Sequence, residues 1–365
     1  VSASLAFILL LASTLTLLLL PFLPGLIVLW RKQDATPLRV VRSDDVDPRY
    51  FARRFRAYIR TNLESSMHGS RKAGDRQEGL LGGRTPYLLV TGENKLKLSK
   101  QEVQEREISR MLVSNADLIL PDDLIFSLEL FAGRTVRGGE RNIYRAILAD
   151  GDIVIGAESM LLRWMHAAGN VKVGPNSLLH GRVSSDSTVR LESGCRFERL
   201  HAPRIEFGKP ESFSRPVKRL NPLESHEVQN LADVTGRRWL IDHKSELPSG
   251  RIVNADMVFT GEAWIGAGTH IYGSVKGHKD IFLGEGVRIM GSVVSVHDIY
   301  VGASCEIHGP VLSEKSVNVG RGAIIGDSRS PTTISAKNIY VSLGAVAHGT
   351  VWTRLNGMVN GAASA

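Results

Sequence analysis

Five histidines, His270, His278, His297, His308 and His348, fall within the last third of a 365-residue chain. Histidine is the side chain that most often acts as a general base near neutral pH, and acyl transfer needs one beside an acyl-donor groove. His308 and His348 occupy equivalent places, each followed by a glycine (Gly309, Gly349), with the imidazole expected to point outward into solvent. Solvated imidazoles on a regular face are the commoner case. The run Gly284–Gly291, GEGVRIMG, has glycines at short spacing but no helix to follow it, so it does not read as a phosphate loop. RGGER at 137–141 reads as a turn. No HExxH, GxSxG or paired-carboxylate arrangement occurs. Cys195 and Cys305 are 110 residues apart with no CxxC or metal-ligand spacing, which predicts two reduced core residues. The chemistry-bearing side chains therefore predict no enzyme, no catalytic residue, no cofactor and no metal.

The elements that carry these residues follow from composition. The chain is 43% apolar and 22% charged, with 36 glycines and only 6% aromatic residues. That balance fits many short strands and tight turns better than a helical bundle. Of the formal net charge of +8, residues 31–72 supply eleven Arg or Lys against five Asp or Glu. A basic block beside an apolar segment suits an anionic membrane face, whereas a basic surface spread over the whole fold would suit nucleic acid. No nucleic-acid partner is expected.

Residues 1–30 contain no charge before Arg31 and predict a transmembrane anchor, with Leu9, Leu18, Phe22 and Trp30 in contact with lipid. Pro21 and Pro24 are expected to kink or end the helix. A cleaved signal peptide and a shallow re-entrant segment are the alternatives. Arg31 and Lys32 follow the span, which orients the bulk of the chain toward the cytoplasm of a bacterial inner membrane.

Residues 31–84 read as a basic amphipathic helix and a linker. Asp47–Pro48 is a helix start, and Phe51, Phe55, Ile59 and Leu63 recur every four residues, with Arg53 and Arg60 on the rest of the circumference. This helix either lies on the inner leaflet through Phe51, Phe55, Ile59, Arg53 and Arg60, or packs its apolar stripe on the following domain. Residues 85–115 suggest a small α/β cap, a strand TPYLLVTG and then a charged helix SKQEVQEREISRML.

The strongest pattern is a repeat. Gly266, Gly284, Gly302 and Gly320 are spaced by 18, as are Val275, Val293 and Val311. A fixed period of this size marks a solenoid. Eighteen residues make one turn of a three-sided parallel β-helix, with alternate residues of each side facing in. Ile265, Thr269, Ile271, Ile281 and their equivalents one and two coils on, Cys305 among them, are the expected core. The same step runs through DIVIG (152–156), NVKVG (170–174) and TVRLE (188–192). The reading is therefore a mainly β chain with β-helix at 116–208, a corner insertion at 209–250 carrying a short helix in LESHEVQNLADV, and β-helix plus a C-terminal cap at 251–365.

The hexads IGAGTH, IYGSVK and GHKDIF resemble those of bactofilins, polymer-forming bacterial cytoskeletal proteins, best over 251–327. The resemblance implies a right-handed β-helix that assembles with itself without nucleotide, beneath the membrane, and organises cell-envelope or polysaccharide-synthesis proteins. A hexapeptide-repeat acyltransferase has the same period but an aliphatic residue at the start of every hexad, where Gly277, Ser295 and Ser313 stand here. A non-polymeric accessory subunit of a polysaccharide complex is the other alternative. Val351, Trp352, Leu355 and Met358 gather after the last clear coil and are the expected self-association surface, or else a folded-back cap.

Overall fold

The computed structural model describes residues 3–20, 47–68, 76–91, 94–95, 105–210 and 220–361. It divides into two units, Val1–Asp47 and Pro48–Ala365. In the first, helix α1 covers Ala3–Leu19, 17 residues without a charge. No helix among the described residues is long and apolar enough to cross a membrane. At 1.5 Å per residue α1 reaches ~25 Å, short of a ~30 Å hydrocarbon core.

The second unit is mainly β, a solenoid of about 14 turns at 18-residue spacing. Three short sides per turn arise because each strand holds only two or three alternating residues before a corner. Ala263–Ile265, Ile281–Leu283 and Ile299–Val301 pair in parallel, in register, one turn apart. Their inward residues Ile265, Leu283 and Val301 are buried, as is every inward residue expected from the 18-residue columns. Each such side chain gains roughly 1.5–3 kcal/mol on leaving water. Asp280 and Asp298 secure one corner, their carboxylates accepting the backbone N–H of the residue 18 further on at 3.0 and 2.9 Å. At another corner the chain turns left-handed, at Gly268, Gly286 and Gly322 in one part of the molecule and at Glu158 and Asn176 in another.

The solenoid is not one continuous spiral. On one side, strand segments stack at 87–90, 111–114, 130–132, 146–149, 164–167, 182–185 and 199–201, seven levels in chain order. A second set of seven begins at 238–241 and runs through 256–259, 275–277, 293–295, 311–313 and 334–335 to 351–352. The last strands of the two sets, Arg196–Phe207 and Val346–Asn360, then pair antiparallel, Arg196 with Met358, Leu200 with Val351 and Glu206 with Val346. Two seven-turn half-solenoids thus meet C-terminal end to C-terminal end. One inward column passes straight through the joint: Leu88, Leu112, Leu130, Ile147, Met165, Val183, Leu200, Val351, Ile334 and Val311 are all nearly or wholly inaccessible.

This arrangement corrects the reading of 209–250 as a corner insertion. The first half ends at Phe207–Gly208, and the chain re-enters at Asn221–Pro222, at the far end of the second half. Asn221–Pro222, Arg238–Ile241 and Ser245–Leu247 make up the first turn of that half. The short helix expected there is a single 3-10 turn, Ser225–Glu227, followed by strand Leu231–Thr235. The described part of the expected α/β cap at 85–115 is likewise solenoid, while residues 96–104, where the charged helix was expected to begin, lie outside the described residues. Thr85–Val90 starts the first turn, and Glu107–Ile108 and Met111–Ser114 are strands, because alternate residues Ile108, Leu112 and their neighbours fill the core. Each outer end is closed by an antiparallel hairpin, Arg76–Leu81 on Thr85–Val90 and Leu231–Thr235 on Arg238–Ile241.

Candidate interaction surfaces

Helix α2, Tyr50–His68, opens just after the expected Asp47–Pro48 start and is strapped along one side of the first half. Its Ala52, Ile59 and Leu63 are buried with Leu81, Leu89, Val113, Phe131 and Leu148 of the solenoid, and Phe55 packs against the same group. Phe55 also meets Trp164 edge to face at 5.6 Å. Of the two readings of this helix, packing on the domain is the one observed for its apolar stripe. Ile59, at 0% exposure, is not a membrane contact, and Phe55 is not a free one, because outward Leu89, Phe131 and Leu148 of the sheet cover them. Phe51, Arg53 and Arg60 stay on the exposed side, with Phe51 under the Arg182 guanidinium.

Beneath the start of α2 lies a polar cluster that sequence reasoning passed over. His166 Nδ1 and Ser184 Oγ hydrogen-bond at 2.9 Å, and Asp186 is 3.8 Å from His166 Nε2. Arg49 donates to Asp186 at 3.2 Å and Arg56 to Asp150 at 2.7 Å. The grouping has the members of a nucleophilic triad, but His166 and Ser184 are each only 2% exposed under the helix. Burial first, then Arg56 and Arg49, holds the imidazole neutral, its pKa lowered to about 4 against the pull of Asp186 and Asp150. The 18-residue interval between His166 and Ser184 was the available signal.

The joint is the second surface. Val351 is buried against Leu200, so it is not part of an open self-association face. Met358 is half-buried in the paired strand, while Trp352 and Leu355 remain exposed at 45% and 63%. Arg199 lies over the Trp352 ring, and His201 Nδ1 meets Thr350 Oγ1 at 2.9 Å. His348, expected outward, is buried here with Nδ1 2.8 Å from the Pro203 carbonyl. Glu206 accepts from Arg190 and Arg204 at 2.7 and 2.6 Å. Burial alone would raise its pKa, but those two guanidinium groups outweigh burial and hold the carboxyl below its ordinary value. The two cysteines sit in the core, each thiol 3.1 Å from a carbonyl one turn back, and burial pushes Cys195 up to about 11.

Two long sides flank the joint and differ in kind. On one, charges alternate up the turns, with Arg288 and Glu306 at 2.9 Å, and His308 and Asp327 at 3.6 Å. Here His270 and His308 border a dimple of about 110 Å³. On the other, Trp264, Phe282 and Tyr300 stack with centroids 3.9 and 4.7 Å apart. The same outward column continues through Asn318, Tyr340 and Met358, crosses the joint to Arg196, and proceeds to Leu178, Met160, Ile143 and Ile125. A groove of about 580 Å³ runs beside the aromatic ladder over the corner glycines Gly266, Gly284, Gly302 and Gly320.

Helix α1 exposes apolar side chains around its whole girth, from Phe7 at 65% and Leu9 at 61% to Leu18 at 64%. Its hydroxyls are satisfied internally, Thr14 and Thr16 donating to carbonyls four residues back at 2.6 and 2.7 Å. The expected membrane contacts Phe22, Trp30, Arg31 and Lys32 lie outside the described residues. Among the described residues no group of three or more His, Cys, Asp or Glu could hold a metal ion. Searches of family models, curated proteins and solved structures found no match to this chain.

Proposed function

We propose that the chain is a bactofilin-like, membrane-tethered scaffold that assembles with itself and organises envelope or polysaccharide-synthesis proteins at a bacterial inner membrane. The observation that carries the reading is the joint. Solenoid ends of this sequence pair strand to strand, with the core column continuing unbroken from Leu200 to Val351. A coil of this sequence can therefore accept another solenoid end against its last strand. The hairpin at one outer end presents an edge strand for that purpose, Leu231–Thr235, largely exposed with Val234 at 44% and paired among the described residues only with Arg238–Ile241. Unpaired edges of this kind add further strands unless they are blocked.

Tethering is supported by α1, whose uncharged surface of exposed apolar side chains calls for an apolar surrounding such as lipid. The basic residues that follow it in sequence suit an anionic inner leaflet. The outward arginines of α2, Arg53 and Arg60, extend that basic character onto the solenoid unit.

Negative-stain electron microscopy of the full chain in a mild detergent tests the reading. Filaments or closed rings are expected, and Val234→Lys should shorten them by charging an end strand. Discrete small oligomers that bind an acyl donor would replace the scaffold with the transferase reading.

A further inference from the structure

Among the described residues of the solenoid unit, no element packs over its apolar side. Its outward column reads Ile125, Ile143, Met160, Leu178, Arg196, Met358, Tyr340, Asn318, Tyr300, Phe282, Trp264 and Glu246. Eleven steps of ~4.8 Å and a side about six residues wide give a strip of ~50 by 20 Å, or ~1,000 Å². That exceeds the ~800 Å² per partner typical of specific complexes. Ile125, Tyr300 and Trp264 are still 38–39% exposed on it, against the buried equivalents under α2.

Over its ten inner positions the order of residues is self-complementary when the column faces its own reverse, and only the end pair sets Ile125 against Glu246. We infer that a second copy of this chain docks antiparallel on this strip, about a twofold axis lying along the strand direction near Met358 and Tyr340. In that register Ile143 meets Trp264, Met160 meets Phe282, and Leu178 meets Tyr300, each twice. Arg196 meets the Asn318 amide rather than its own equivalent. An isologous contact requires such i-to-j and j-to-i matching.

The flanking corner charges follow the same register. Glu262 comes opposite Arg145, Asp280 opposite Arg163, Asp298 opposite His180 and Lys315 opposite Glu198. Some already have partners within the chain, Glu262 with Lys244 at 3.3 Å and Arg145 with Glu129 at 3.1 Å. Lys337 opposite Arg354 and Glu285 opposite Glu158 oppose docking, so among Asp, Glu, Lys and Arg the favourable pairs outnumber the unfavourable three to two. Each is a corner charge at the border of the strip, where it selects register and orientation more than it adds affinity.

This inference deepens the scaffold reading by naming a partner, a second copy held side by side, and the two can fail separately. The test is sedimentation equilibrium of the full chain in a density-matched mild detergent, with electron microscopy alongside. A pair of 39.9 kDa chains is expected as the smallest unit. Phe282→Glu and Met160→Lys, in opposite halves, should each weaken pairing ~30-fold or more, as for a central interface residue. The double variant should restore it, because each new glutamate then faces a new lysine. A wild-type dimer without filaments retains this inference and removes the polymer. Filaments or dimers indifferent to Met160→Lys and Phe282→Glu overturn it, and so does a wild-type monomer.

Discussion

The two halves of the solenoid share a period and a core column but dress their outer surfaces differently. The first half is strapped by α2 and carries Phe126 and Tyr144 inside, stacked at 5.2 Å. No helix among the described residues straps the second half, and its aromatic stack of Trp264, Phe282 and Tyr300 stands outside. Inward positions answer only to the space inside each turn, so both halves fill them with similar apolar residues. Outward positions are free to specialise. The first half has used one of its sides to fix a helix and a buried polar cluster, and the second turns an aromatic stack outward on another.

The largest predicted contrast concerns the strap. Ile59→Asp places a charge with no partner into the buried cluster and should cost roughly 3 kcal/mol or more. Val294→Asp, on the corresponding uncovered side of the second half, should cost under ~1 kcal/mol. Denaturant melts, with hydrogen exchange across 50–68 to follow the helix, would show both. Equal losses would remove the distinction between the halves.

Mild acid, between pH 7 and 5, should also act on the first half, through His166. His166 has a folded pKa lowered to about 4 from an ordinary 6.5, so the unfolded state binds its proton first. Its contribution is complete above pH 6.5 and is lost as pH falls from there toward 4. Between pH 7 and 5 the loss is on the order of 2 kcal/mol. Exchange protection of α2 should fall over that range in the native protein and not in His166→Phe. At pH 5 the charges around the imidazole are Asp186, Asp150, Arg49 and Arg56, and their near balance leaves burial to set the outcome.

A smaller effect distinguishes the corners. Glu158 adopts φ 55° where the second half has Gly286 at φ 67°. Glu158→Gly relieves a left-handed strain at an exposed position and should stabilise by up to ~1 kcal/mol, after the extra chain entropy of glycine is subtracted. Gly286→Ala should destabilise by about 1 kcal/mol, although a Cβ there would meet nothing within 4 Å. Opposite signs in thermal melts would show that one corner geometry serves both halves.

The three-sided solenoid was legible because the columns through Val275, Val293 and Val311 repeat without a slip. The first half was harder to read. Bulges between Phe126 and Glu129, Leu161 and Trp164, and Leu179 and Arg182 shift its register on one side. They blurred the period and hid the first turns at 85–115 behind a helix-like charge pattern. The reversal at the joint was invisible for a different reason. A period reports how far apart equivalent residues are along the chain, and it is unchanged when the axis turns back on itself. Val351 and Met358 were noticed as apolar residues in need of a partner, but that partner, Arg196–Phe207, lies some 150 residues away in sequence. Of the surfaces, the apolar stripe of α2 was legible and its cover was not, since helical spacing shows that a face is buried without showing against what.

Disulfide trapping at the joint tests the central claim most directly. Arg196 and Met358 are direct partners across the antiparallel pair, on the same outward column, where opposed Cβ atoms stand ~5 Å apart. Arg196→Cys/Met358→Cys should form an intrachain bond under mild oxidation, seen as a faster-migrating monomer on a non-reducing gel and absent in either single variant. A double variant that stays reduced, or that links only between chains, would contradict a molecule made of two half-solenoids joined end to end.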